Sequence, residues 1–204
     1  MDSIPTASGK EKAWEALACL EPENTAIKAG VHYDMESGLY TLKSFGMDFQ
    51  VSSEKKDVCS ASPQGSLLLD NPDYFFRLSV PWYLACAKHV PATGRLVRPV
   101  DIKDGGLFAR GTHVLPMNRI AEKYAGDKEG FIRRGCELGG RPMQYGDASI
   151  ELMPFPRMPV TMILWLEDEE FPARADLFFD STCDLQFPAD ILWSTAMLSI
   201  LLML

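Results

Sequence analysis

Val160-Thr161-Met162-Ile163-Leu164-Trp165-Leu166 is a stretch with no charged residue. A short uncharged run rich in branched side chains predicts a strand buried on both faces, at the centre of a sheet. Immediately upstream, Pro154, Pro156 and Pro159 forbid a helix and mark an edge or a bulge. Before them, Ala148-Ser149-Ile150-Glu151-Leu152 alternates as a half-buried strand does. Downstream, Glu167 to Ala175 reads as a turn containing Pro172, and Leu177-Phe178-Phe179 returns as a further strand.

A second strand signal lies nearer the start. Leu39 to Phe45 alternates, Gly46 punctuates it, and Met47 to Val51 continues, so a hairpin is expected. Helices fill most of the remainder. Trp14, Leu17, Ala18 and Leu20 give one helical face, opened by a Ser8/Glu11 capping box and ended by Pro22. Residues 25–31 read equally as a short helix or an extended piece, and residues 52–66 read as a polar loop. Tyr74 to His89 is apolar on most faces, with Pro81 inside it, and Asp70 or Asn71 followed by Pro72 supplies its start. Leu96 to Val100 is predicted extended, and Leu107-Phe108-Ala109 a strand. Pro116 to Tyr124, about Asp127 to Leu138, and Pro188 to the last residue are predicted helices.

This order lacks the regular alternation of a doubly wound sheet. It predicts an α+β fold, a mostly antiparallel sheet with packed helices and a buried C-terminal helix. Residues 1–19 are read as a frayed end with a helix, and 20–204 as a single α+β domain.

The final apolar stretch, Ile191 to Leu204, is interrupted by Ser194, Thr195 and Ser199, and is shorter than the roughly 20 residues that span a bilayer. No secretion signal opens the chain, and five scattered cysteines without a CxxC pair fit a reducing cytoplasm. The net charge of −8 repels phosphate backbones and anionic lipid, which argues against nucleic acid or a membrane as partner. Residues 88–141 nevertheless carry 11 Lys and Arg against 6 Asp and Glu.

Sharp catalytic motifs are absent: no phosphate-binding glycine loop, no HExxH and no GxSxG. The densest chemistry follows Trp165. Between Glu167 and Asp190 stand eight acids and one base, Arg174. If the flanking strands pair as a hairpin, Asp180 is expected near the Leu166–Glu167 end, gathering it with Asp168, Glu169 and Glu170. Such oxygen-rich clusters attract hard cations, and one acid among several can gain a raised pKa. The bland reading, solvated acids in a loop, stays open beside these. His113 and Arg157 are the groups that would orient an anionic substrate if Asp168, Glu170 or Asp180 did acid–base work. Phe75, Phe76, Trp82 and Tyr83 line either an apolar pocket or a packed core.

Five segments stand in a telling order: Pro91-Ala92-Thr93-Gly94, Gly105-Gly106-Leu107-Phe108, Pro156-Arg157-Met158-Pro159, Leu164 to Pro172, and Leu177-Phe178-Phe179-Asp180. With them the chain resembles an uncharacterised domain-of-unknown-function family of anaerobic bacteria and archaea, sometimes fused to a four-cysteine iron–sulfur domain. The tryptophan–acidic–Phe-Pro stretch is the most specific part. The resemblance implies a cytoplasmic protein near iron–sulfur or corrinoid one-carbon metabolism. It assigns no reaction and no catalytic residue, and any cluster would belong to a partner. Three roles follow: an accessory protein binding a small molecule, metal ion or protein partner through the acidic loop, a small enzyme, or an interaction subunit docking through Ile191–Leu204. The cofactor is unknown.

Overall fold

The computed structural model describes residues 6–70 and 73–204. The expected cap at Asn71 and Pro72 lies outside them. Two antiparallel sheets share one core. The first has order β1-β2-β3-β4, with β1 His32–Asp34, β2 Leu39–Ser44, β3 Met47–Ser52 and β4 Asp57–Cys59. The second has order β5-β9-β8-β7-β6, with β5 Leu96–Val97, β6 Arg141–Met143, β7 Ala148–Phe155, β8 Met158–Trp165 and β9 Arg174–Asp180. The uncharged run is therefore the central strand, and Met158 through Leu164 are all buried. Pro154 sits where the β7–β8 register shifts, between Leu152 and Phe155, as a proline that cannot donate to the ladder requires.

The helices are α1 Thr6–Ala18, α2 Pro22–Ala29, α3 Pro63–Asp70, α4 Asp73–Cys86, α5 Met117–Tyr124, α6 Lys128–Glu137, α7 Cys183–Gln186 and α8 Ala189–Met203. Pro22 both ends α1 and opens α2. The Glu21 carboxylate accepts the N–H groups of Glu23 and Asn24, and Gly30 closes α2 in the left-handed conformation. α1 begins at Thr6, so Ser8 lies inside it and is not its cap. Residues 52–66 are not a plain loop: they hold β4 and the start of α3. Leu107-Phe108-Ala109 is not a strand but part of a 3-10 turn, Gly105–Ala109, entered through Asp104 at φ 60°. Pro81 sits within α4 without dividing it.

Aromatic rings join the layers. Phe76 on α4 meets Phe49 of the first sheet at 4.6 Å, and Tyr83, two turns further along the same face, stacks on Phe155 of the second at 4.7 Å. Phe187 closes the group against both Tyr83 and Phe155. Phe76 and Tyr83 are thus core. Phe75 meets the Trp193 ring edge-on instead.

α8 is buried along Ile191, Leu192, Ala196, Leu198, Ile200 and Met203. Its polar interruptions are neutralised inside the helix: Ser194, Thr195 and Ser199 each donate to the carbonyl four residues back. Lys123, Tyr124 and Arg134 donate to its last carbonyls, the placement a helix C-terminus favours. Among the described residues no helix is long and apolar enough to cross a membrane.

Candidate functional site

The acidic turn is built by the strands that flank it. Trp165 and Arg174 are register partners at the end of β8 and β9, and the Arg174 guanidinium lies 4.1 Å from the Trp165 ring. Above this base the Leu166 N–H donates to Asp147. Asp168 organises the tip: one carboxylate oxygen accepts the N–H groups of Glu170 and Phe171, each at 2.8 Å, while its own N–H donates to the Phe171 carbonyl. Those two N–H groups hold the Asp168 carboxyl below its ordinary range. Glu167, Glu169 and Glu170 are solvated. Phe171 is 65% exposed, a large ring displayed on a turn whose backbone is fixed.

Asp180 is elsewhere. β8 and β9 pair Trp165 with Arg174 and Val160 with Phe179, so Asp180 stands at the opposite end of the strand pair, roughly 20 Å along the strand from the acidic turn. The expectation that it joins Asp168, Glu169 and Glu170 is overturned by this register. Its carboxylate is 3% exposed and fully engaged: it accepts the Gly94 N–H at 2.7 Å, the Thr182 N–H at 3.0 Å and the hydroxyls of Thr182 and Thr93. Burial pushes this carboxyl up, but the donors outweigh it and hold it below the ordinary range. Asp180 thus fastens the Pro91–Gly94 loop to the end of β9.

Arg157 and His113 are also spent on structure. Arg157 donates from Nε to the Lys28 carbonyl at 2.6 Å and from Nη2 to the Ile27 carbonyl, capping the last turn of α2. Its N–H donates to the Tyr83 hydroxyl, which in turn donates to the Ala29 carbonyl. His113 offers its carbonyl to the Trp193 indole N–H at 2.7 Å and packs its ring edge-on against that indole. No side-chain hydrogen bond or ion pair joins any two of Asp168, Glu169, Glu170, Asp180, His113 and Arg157. Among the described residues, no group of three or more His, Cys, Asp or Glu side chains stands close enough to hold a metal ion.

A concavity of about 700 Å³ lies where the tip of the β2–β3 hairpin meets α6 and the entry to α3, lined by Met47, Asp48, Ser62, Gln64, Cys136 and Glu137. Gly46 and Gly139, both at positive φ, meet backbone to backbone there.

A family model matches residues 21–201. The chain belongs to the DUF3786 family, a domain of unknown function. No curated protein and no solved structure matches it. The DUF3786 match takes in the acidic turn, the Asp180 clamp and both sheets, and it begins after α1.

Proposed function

We propose that this chain is a cytoplasmic accessory protein that docks on a partner protein through the Glu167–Pro172 turn. Phe171 is the apolar anchor and the surrounding carboxylates select a partner pocket rimmed by Lys and Arg. The observation that carries this reading is the 65% exposure of Phe171 on a turn pinned by Asp168. A pre-ordered turn loses little entropy on binding, and one buried aromatic anchor is the usual centre of a binding hot spot. Use of the same carboxylates for a metal is less well supported, because Asp168 already spends an oxygen on two N–H groups and Asp180 is remote. The family resemblance directs the search for the partner towards proteins carrying an iron–sulfur cluster or a corrinoid.

The test is titration of each protein retained from a source-cell extract, once purified, against wild type, Phe171→Ala and a Glu169→Gln/Glu170→Gln double variant. The expected result is a loss of about tenfold or more in affinity for Phe171→Ala. The double variant should bind more weakly and show a shallower salt dependence. Equal affinity for all three proteins would overturn the reading.

A further inference from the structure

β9 has a neighbouring strand along only part of its outer side. β8 pairs with it from Arg174 to Phe179, but β5 reaches only Phe179 and Asp180. The β5 register, Leu96 with Asp180 and Val97 with Phe179, would set residue 99 opposite Leu177. That residue is Pro99, which has no N–H to give and opens a 3-10 turn, Pro99–Asp101, that carries the chain away. Asp101 would come opposite Ala175, but its N–H donates to the Arg98 carbonyl instead.

Strand alternation fixes which groups are left over. The Ser181 N–H donates to the Arg95 carbonyl at 2.9 Å, so Ser181 faces the β5 side. With a period of two, Phe179, Leu177 and Ala175 turn their main-chain groups to that side, while Asp176 and Phe178 turn theirs to β8. The N–H and C=O of Leu177 and Ala175 therefore point where β5 does not reach, and among the described residues no loop or side-chain group bonds to them. Both residues are nearly enclosed, at 3% and 4% exposure. Buried main-chain groups demand partners, and an unpaired strand edge is a template for another strand.

There is room for one. Where the chain leaves β9 after β5, a groove of about 480 Å³ opens, lined by Pro99, Val100, Val114, Met117, Leu177 and Phe178. Val100 and Val114 are 43% and 54% exposed. The charges at its rim cancel in pairs, Arg98 with Asp101 and Arg174 with Asp176. A strand laid antiparallel to β9 would continue the course of β5 and run towards the acidic turn, so its C-terminal end would arrive beside Glu167, Asp168, Glu169 and Glu170.

We infer that the Arg174–Phe178 edge of β9 accepts an extended segment of a partner protein as an added antiparallel strand, with apolar side chains against Val100 and Val114 and Lys or Arg at its C-terminal end. The main-chain groups of Leu177 and Ala175 hold such a segment, and the acidic turn sets its direction. The basic end of the segment rests on the docking reading above; the added strand itself does not.

The probe is a fluorescently labelled, end-blocked peptide that alternates valine with threonine and ends in two lysines. Wild type is expected to bind it, and to bind at least tenfold more weakly a counterpart whose valine and threonine nitrogens are methylated. Ala175→Pro removes an N–H that β8 does not use and sets a ring carbon on the open edge, so it should also weaken binding at least tenfold. On binding, the Ala175 and Leu177 amides should gain protection from hydrogen exchange, while those of Asp176 and Phe178, already turned to β8, should not change. If Ala175→Pro does not fold, the methylated peptide and the exchange pattern decide. A wild type that ignores the peptide, or binds both forms equally, overturns the inference. So does a wild type that forms a dimer lost in Ala175→Pro, which would give the edge to a second copy. The docking reading fails separately, on a purified partner that Phe171→Ala binds as wild type does.

Discussion

The Asp180 carboxylate accepts the Gly94 N–H at 2.7 Å, across 86 positions of sequence. With the Thr93 and Thr182 donors it makes the end of β9 and the Pro91–Gly94 loop one unit. Its carboxyl is held below the ordinary value, so the stability it contributes is present above the unfolded pKa and lost as pH falls through the folded one. Asp180→Asn should therefore lower stability at neutral pH by about 1–3 kcal/mol, because an amide cannot accept all of these donors. The gap to wild type should close as pH drops below about 4, which denaturant melts across pH measure directly.

Arg157 gives a second prediction, chosen because a substrate-binding arginine and a capping arginine behave differently. Its guanidinium holds the Lys28 and Ile27 carbonyls at the end of α2. Arg157→Ala should cost about 1–2 kcal/mol and speed hydrogen exchange in α2. Arg157→Lys should recover only part, since an ammonium lacks the planar fork. Unchanged stability and exchange would return Arg157 to the list of free binding groups.

Metal provides a third. The register separates Asp180 from the acidic turn, and Asp168 is occupied by the Glu170 and Phe171 N–H groups. Added Ca²⁺, Mg²⁺ or Mn²⁺ should leave the melting temperature where it is. A melt that rises with the logarithm of metal concentration would instead show a site that binds the folded chain.

The parts of this molecule that were legible are those with a periodic signature. The uncharged run at Val160–Leu166, the hairpin around Gly46 and the Pro188 helix start all carry their own local pattern. What could not be read depends on pairing. Asp180 looks close to Glu167 in sequence, but the eight residues between Trp165 and Arg174 close the turn early and send β9 the full length of β8. α3 was hidden because Gln64, Gly65 and Ser66 make a poor helical signature that only tertiary packing overrides. Leu107–Ala109 has strand-forming side chains, yet Asp104 and Gly105 curl the backbone into a 3-10 turn first. The Thr93 and Gly94 donors to Asp180 and the carbonyls that occupy Arg157 come from more than 80 positions away, and no local pattern announces them.

The hairpin tip supplies the last prediction. Phe45 and Gly46 form a two-residue turn with φ of 47° and 76°, the left-handed geometry that tight hairpins need. The Phe45 N–H donates to the Met153 carbonyl at 2.9 Å, where the β7 register shifts, so the tip of the first sheet is tied to the second. Gly139, after α6, packs against this tip at φ 69°, and a Cβ there would stand 2.7 Å from the Gly46 Cα. Both neighbours are backbone and neither can rotate aside. Gly139→Ala must therefore adopt a left-handed conformation, costing about 1 kcal/mol, and also push the hairpin off α6. The total is expected at about 3 kcal/mol, or on the order of 6–12 °C in Tm for a chain of this size. Gly106→Ala is the control, since nothing lies within 4 Å of its added Cβ, and it should move Tm little. If the two variants melt together, the glycine contact does not join the sheets. If Gly139→Ala falls as expected and the half-buried Met47 gains solvent access on oxidative labelling, the concavity beside it opens and closes with the packing of this one backbone pair.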